Sequence, residues 1–112
     1  MNIVTTERDG ATVLRIEGRL DGNHAQAAEA TFSALAGEGR SRFVFDFSDM
    51  TYISSAGLRV VLVAAKKVRS MQGRMICAGM TEQVRDVFEM SGFLSILETA
   101  ETTEEALGKM TS

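Results

Sequence analysis

The sequence is poor in the residues that build most catalytic and metal sites. Its 112 residues include one histidine, one cysteine, no tryptophan and no proline. A single histidine and a single cysteine provide neither a His pair nor a Cys-x-x-Cys set, so we expect no metal and no other cofactor. One cysteine also excludes an intrachain disulfide, which fits a reducing compartment.

The histidine and the cysteine are not placed for catalysis either. Cys77 lies between Ile76 and Ala78 in an apolar segment, where a thiol behaves as a small hydrophobe, so we predict that it is buried and inert. His24 stands near the start of a predicted helix, and no spacing joins it to a serine and an acid as a triad would require. No acid–base pair converges on a nucleophile, so the sequence predicts a protein that is not an enzyme.

Charge and hydropathy exclude two further classes of partner. The chain has 12 Lys and Arg against 15 Asp and Glu, a net charge of −3, with no basic stripe; direct nucleic-acid binding needs concentrated positive charge. The longest purely apolar run, residues 60–65, is far shorter than the ~20 residues that span a bilayer. The first residues lack the apolar core of a signal peptide. We therefore expect a cytoplasmic protein with no nucleic-acid or membrane partner.

Alternating strand and helix patterns predict one α/β domain over residues 1–112. Two strands, at residues 3–7 and 12–17, flank an Asp-Gly hairpin signal. The sequence then predicts a helix capped by Asp21 or Asn23, a strand at 43–47, a helix at 56–71, a strand at 74–78, a helix from Thr81 to Gly92, a strand around 94–97 and a terminal helix after a Thr102–Glu105 capping box. An initial hairpin followed by helical crossovers gives a mixed sheet whose later strands are parallel, flanked by about four helices.

The most informative segment is the strand-to-helix junction in residues 42–62, RFVFDFSDMTYISSAGLRVVL. Ser54 and Ser55 stand where the helix begins, and serine is among the favoured N-cap residues. A phosphate at that position would meet free backbone N–H groups and the positive end of the helix dipole. Either serine can be the cap, and capping alone is the simplest role for both.

Three motifs in this chain resemble those of the STAS domain family, in its branch of bacterial anti-sigma-factor antagonists. Residues 52–62, YISSAGLRVVL, closely resemble the family signature, and residues 18–21, GRLD, resemble its Gly-x-Leu-Asp after the second strand. Residues 84–93, VRDVFEMSGF, resemble its helix that ends in a small-Gly-apolar step. The resemblance implies the STAS fold. It also implies a protein that, when unphosphorylated, binds an anti-sigma factor of the serine-kinase type and thereby frees a sigma factor.

The same resemblance implies roles for individual residues. Ser55 matches the phosphoacceptor, two positions before Gly57, and Asp21 matches the acidic residue beside it. Ser54 stands where many antagonists have an acidic residue, so it is the alternative acceptor; Ala56 stands where they often have Ser or Thr. Phosphate on Ser55 would add negative charge beside Asp21 and Asp49 and repel the partner.

The resemblance implies two partners, the anti-sigma factor kinase and a PP2C-type phosphatase that acts on the phosphorylated form, and we expect the free protein to be a monomer. A second interpretation of the resemblance remains open. The chain would then be a structural STAS subunit of a lipid-transport ABC complex or of a stress-signalling scaffold, and its serine would only cap the helix.

A helical projection of residues 56–71 completes the predicted partner surface. It places Leu58, Val61, Leu62 and Ala65 against the sheet, and Val60 and Val63 on the other side. These two valines either lie beneath a neighbouring helix or form an apolar docking patch near Ser55. The predicted partner surface is Asp21, Ser54, Ser55, Ala56, Gly57, Arg59, Val60 and Val63. The methionines at 71, 75, 80 and 90 are predicted to fill gaps in the core.

Overall fold

A computed structural model describes residues 1–111 and contains six strands and four α-helices in that range. The elements, in chain order, are β1 (Asn2–Arg8), β2 (Ala11–Leu20), α1 (Ala25–Gly37), β3 (Arg42–Asp46), β4 (Met50–Ile53), α2 (Ser55–Ser70), β5 (Arg74–Ala78), α3 (Glu82–Met90), a 3-10 helix (Phe93–Ile96), β6 (Glu98–Ala100) and α4 (Thr103–Thr111).

The predicted mixed sheet is confirmed. β1 and β2 form an antiparallel hairpin whose turn residues, Asp9 and Gly10, have φ values of 52° and 81°. Positive φ at both positions is what a type I′ turn requires, which explains the Asp-Gly pair. The other strand pairs are parallel, and the strand order is β1-β2-β3-β5-β6 with β4 attached to β2.

Strand β2 is long enough to pair with two successive strands. Its first half pairs with β3. Beyond Gly18, which has a φ of 84°, its second half pairs with β4, so that Leu20 lies opposite Ile53. The sequence analysis did not predict β4. This short strand fixes the site, because it pairs with the end of β2 and leads directly into α2, so that α2 begins beside the loop that follows β2.

Apolar side chains cover both faces of the sheet. On one face, α1, α2 and α3 enclose the larger core, where Phe32 packs on Phe43 with ring centroids 4.9 Å apart and Phe47 stacks on Phe88 at 6.1 Å. On the other face, α4 buries Ala106, Leu107 and Met110 against Val44 and Ile76. Within residues 1–111, every helix is too short or too polar to cross a lipid bilayer.

The predicted orientation of α2 is partly wrong. Val60 is buried, at 5% exposure, whereas Val63 is 36% exposed; Leu62 and Ala65, predicted to face the sheet, are only half-buried. The residues of α2 that are buried are Gly57, Leu58, Val60, Val61, Ala64 and Val68. Because α2 contacts α1 as well as the sheet, its buried side is turned toward Val60 and away from Leu62. Val60 thus follows the first alternative, burial beneath a neighbouring helix, and the error concerns Leu62 and Ala65.

Two other predictions in the last third of the chain are wrong. Residues 93–96 form a 3-10 helix, and the final strand is Glu98–Ala100, paired with β5. Met90 is 88% exposed, because it lies two residues beyond buried Phe88 and so on the opposite side of α3. The remaining methionines, Met71, Met75 and Met80, pack partly buried against the core as predicted. Gly92 has the predicted left-handed conformation, with a φ of 77°.

Candidate functional site

The site is built where the end of β2 meets the start of α2. The backbone N–H of Ser54 donates a hydrogen bond to the carbonyl oxygen of Leu20 at 3.0 Å. The loop after β2, which contains Asp21, therefore lies beside the first turn of α2. The backbones approach so closely that a Cβ at Gly57 would collide with the Leu20 carbonyl oxygen. The glycine of the sequence motif thus permits this close packing, and it is buried.

The two serines at the junction have different environments. Ser54 is the N-cap of α2: its backbone is extended, with a φ of −96° and a ψ of 175°, and its Oγ accepts a hydrogen bond from the Gly57 N–H at 3.2 Å. Ser55 is the first residue of the helix and is exposed. Within residues 1–111, the Ser55 hydroxyl has no hydrogen-bond partner. Ser54 therefore holds the helix start, and Ser55 presents an accessible hydroxyl.

The first turn of α2 is electrostatically suited to an added anion. The helix has 16 residues and no acidic residue in its first turn, whereas Lys67 and Arg69 stand in its last turn. The positive end of the helix dipole is therefore not neutralised by an acidic side chain of its own first turn. A phosphate on Ser55 would be stabilised there by the dipole and by unpaired backbone N–H groups.

Asp21 is held in place by three donors. Its Oδ1 lies 2.8 Å from Nδ1 of His24 and accepts a hydrogen bond from the Asn23 N–H at 3.1 Å, and its Oδ2 lies 3.5 Å from Nε of Arg19. Desolvation opposes ionisation of this carboxyl, but the hydrogen bonds from His24 and the Asn23 N–H outweigh it, and the pKa of Asp21 lies below its ordinary value. Asp21 is therefore a fixed negative charge beside the serines.

The predicted cap of α1 is wrong. The helix begins at Ala25 with His24 as its N-cap, and no side chain caps it. Asp21 instead accepts hydrogen bonds from the N–H groups of His24 and Ala25 through its backbone carbonyl. Within residues 1–111, no hydrogen bond joins the His24 ring to either serine, so the Asp21–His24 pair does not extend into a triad.

A groove between α1 and α2 opens next to the serines. It has a volume of about 330 Å³. From the α1 side it is lined by Gly22, Ala25, Gln26 and Glu29, and from α2 by Ala56, Arg59, Val60 and Val63. Because Val60 is buried and Val63 is 36% exposed, the predicted apolar patch is divided: Val60 belongs to the packing under the groove, and Val63 is accessible to a partner.

One residue predicted near Ser55 lies elsewhere, and two residues that were not predicted lie near Asp21. Asp49 is not beside Ser55, because it precedes β4 whereas Ser55 follows it; Asp49 pairs with Arg15 at 3.3 Å. The sequence analysis missed the contact in which the guanidinium of Arg19 lies 4.1 Å from the ring centre of Tyr52. This pair is next to Asp21. It could have been predicted only with knowledge that β2 and β4 are parallel neighbours, because that pairing places Arg19 opposite Tyr52.

Cys77 lies apart from this site, in the middle of the sheet. It is fully buried in β5, and burial raises the pKa of its thiol to about 12. The predicted burial is confirmed. Among residues 1–111, no group of three or more His, Cys, Asp or Glu side chains is arranged to hold a metal ion.

Comparison with known proteins identifies the fold and the relatives. A family model described as the STAS domain matches residues 2–106. BtrV of Bordetella bronchiseptica, named as a candidate anti-sigma factor antagonist, is 40% identical over 106 residues, covering 95% of this chain and 91% of BtrV.

Solved structures show the same fold at lower identity. A candidate anti-sigma factor antagonist from Thermotoga maritima superposes with a TM-score of 0.93 at 20% identity, over 98% of this chain and 95% of that one. The Bacillus cell fate determinant SpoIIAA in its phosphorylated form gives a TM-score of 0.76 at 24% identity, over 96% of this chain and 98% of that one.

Proposed function

The chain belongs to the STAS domain family, and from that premise we propose that it is an anti-sigma-factor antagonist controlled by phosphorylation of Ser55. In its unphosphorylated form it binds an anti-sigma factor with serine-kinase activity and so releases a sigma factor. The kinase modifies Ser55, and a PP2C-type phosphatase restores it. The protein itself is a non-enzymatic cytoplasmic switch, monomeric when free.

The observation that carries this proposal is the difference between the two serines. Ser54 is committed to the Gly57 N–H through its side chain, so a phosphate on Ser54 would have to be attached to the same oxygen that caps the helix. Ser55 is exposed, and its modification leaves the cap intact. This geometry favours Ser55 over Ser54 as the acceptor.

The exposure of the eight predicted residues indicates which of them can contact a partner directly. Of the eight residues predicted for it, Gly57 and Val60 are buried and act by shaping the surface from below. Direct contact is proposed for Asp21, Ser55, Arg59 and Val63, with the half-buried Ser54 and Ala56 between them.

The switch works through charge at this surface. Phosphorylation adds about −1.5 to −2 charges at neutral pH, and the start of α2 accommodates them without a change of fold. A partner that packs closely on the same surface would meet a dianion beside the fixed charge of Asp21. Burying such a charge without a compensating cation costs several kcal/mol, and every 1.4 kcal/mol is about tenfold in affinity.

The test is incubation of the protein with ATP and its cognate anti-sigma factor kinase, followed by mass spectrometry to locate the phosphate and by calorimetric titration to measure binding. We expect phosphate on Ser55 in the wild type and in Ser54→Ala, and none on Ser55→Ala, which should bind the kinase constitutively. Phosphate on Ser54, or equal affinity of modified and unmodified protein, contradicts the proposal. Absence of any phosphorylation would favour the structural-subunit alternative.

A further inference from the structure

We infer that Arg59 is the intramolecular counter-ion of a phosphate on Ser55; the inference rests on the proposed function and adds a residue to its switch. Ser55 and Arg59 are residues i and i+4 of α2. Side chains at that spacing lie on one helix face. Because helical side chains lean toward the N-terminus, the guanidinium of Arg59 can reach back to a phosphate on Ser55.

Arg59 is available for this role. It is exposed, and within residues 1–111 it forms no ion pair. Its neighbours on the same helix face, at positions 56, 62 and 63, are alanine, leucine and valine. No carboxylate of its own helix therefore competes for it.

Within residues 1–111, neither Glu29 of α1 nor Asp21 of the loop before α1 forms an ion pair with Arg59. Glu29 of α1 lines the same groove but is exposed and does not approach Arg59 as an ion pair. Asp21 is already bound by His24, the Asn23 N–H and Arg19. The guanidinium is left for an incoming anion at position 55.

Phosphate is the anion that a guanidinium binds best. The planar fork of arginine matches two phosphate oxygens at once, whereas a lysine provides only a point charge. Among the described residues that line the groove, Arg59 is the cation. Phosphorylation would therefore have two effects on the groove. It would place a negative charge at the edge of the groove, and it would engage Arg59, which would otherwise be available to a carboxylate of the partner.

The experiment installs phosphoserine at position 55 during translation, so that no kinase is needed. The second pKa of the phosphate, ordinarily about 6, is then measured by ³¹P NMR titration. A nearby cation stabilises the dianion and lowers this pKa. We expect Arg59→Gln to raise it by about 0.3–1 unit relative to the wild type, and Arg59→Lys to raise it by less.

Arg69→Gln is the matched control. It removes the same charge from an exposed position of α2 that lies about 21 Å from Ser55 along the helix axis, beyond the screening length of about 8 Å at physiological salt. We expect it to leave the phosphate pKa unchanged. Equal pKa values in the wild type and Arg59→Gln, or equal shifts in the two glutamine variants, would overturn the inference. Failure of the kinase to modify Ser55 would instead count against the proposed function alone, because the titration does not depend on it.

Discussion

The carboxylate of Asp21 lies 2.8 Å from Nδ1 of His24, and this pair closes the loop that stands beside the start of α2. The Asn23 N–H and Arg19 donate to the same carboxylate. An acid that could have been a helix cap is therefore a fixed anionic group at the site. Its contribution to folding and its contribution to binding can be separated by experiment.

Asp21→Asn should weaken binding of the anti-sigma factor while the protein stays folded, because the amide oxygen can still accept from the Asn23 N–H. The folded-state pKa of Asp21 is lowered, so its stabilising effect is present above the unfolded value of about 3.9 and is lost as pH falls through the folded value. The stability difference between wild type and variant should therefore shrink in acid. Urea unfolding at pH 7 and pH 3 measures the stability difference, and binding titrations of the same variants measure the partner affinity. Unchanged partner affinity would remove Asp21 from the partner surface.

Ser54→Ala and Ser55→Ala should differ in stability although they are the same substitution at adjacent positions. Loss of the Ser54 cap should cost about 0.5–2 kcal/mol. Ser55→Ala removes an exposed hydroxyl without a partner and should stay within about 0.5 kcal/mol of the wild type. Chemical denaturation of both variants measures their free energies of unfolding. Equal losses of stability would mean that Ser54 is not the sole capping serine in solution.

Much of this architecture follows from local sequence signals. The Asp9-Gly10 turn, the Thr81 cap and the left-handed Gly92 each depend on a few neighbouring residues, and the structure confirms them. The Thr102 cap does so as well, since its Oγ1 accepts from the Glu105 N–H at 3.0 Å. Such signals act within one turn of chain and can be recognised without tertiary structure.

The errors concern features that depend on distant parts of the chain. β4 has only four residues, with its two central residues exposed, so it shows no alternation; it is a strand because β2 extends far enough to pair with it. Leu62 and Ala65 are less buried than predicted, because α1 also packs on α2; a projection of α2 alone does not contain that contact, and it could not decide whether Val60 is buried. The choice between Ser54 and Ser55 as cap needs the helix start to within one residue, which is finer than sequence patterns resolve.

Cys77 should react with a thiol reagent only as fast as the protein unfolds. Its thiol is fully buried and its pKa is raised to about 12, so neither access nor thiolate is available in the folded state. Labelling followed by mass spectrometry, in native buffer and in urea, measures this. Cys77→Ser should lower stability, because it buries a hydroxyl in an apolar site, with no selective effect on partner binding. Rapid labelling of the native protein would contradict the assignment.

Val63→Asp should abolish or strongly weaken partner binding and leave the fold intact, because a charge at a 36% exposed helix position costs little in the free protein. Val60→Asp should instead lose at least about 2 kcal/mol of stability, since it places an unpaired carboxylate at a buried position. The control is Val4→Asp, the same substitution at a 39% exposed valine of edge strand β1, which should affect neither property. Thermal unfolding and calorimetric titration with the anti-sigma factor compare the three variants. If Val63→Asp unfolds the protein, or binds as well as Val4→Asp does, recognition lies in the loop around Asp21 and at Ser55 rather than in the groove.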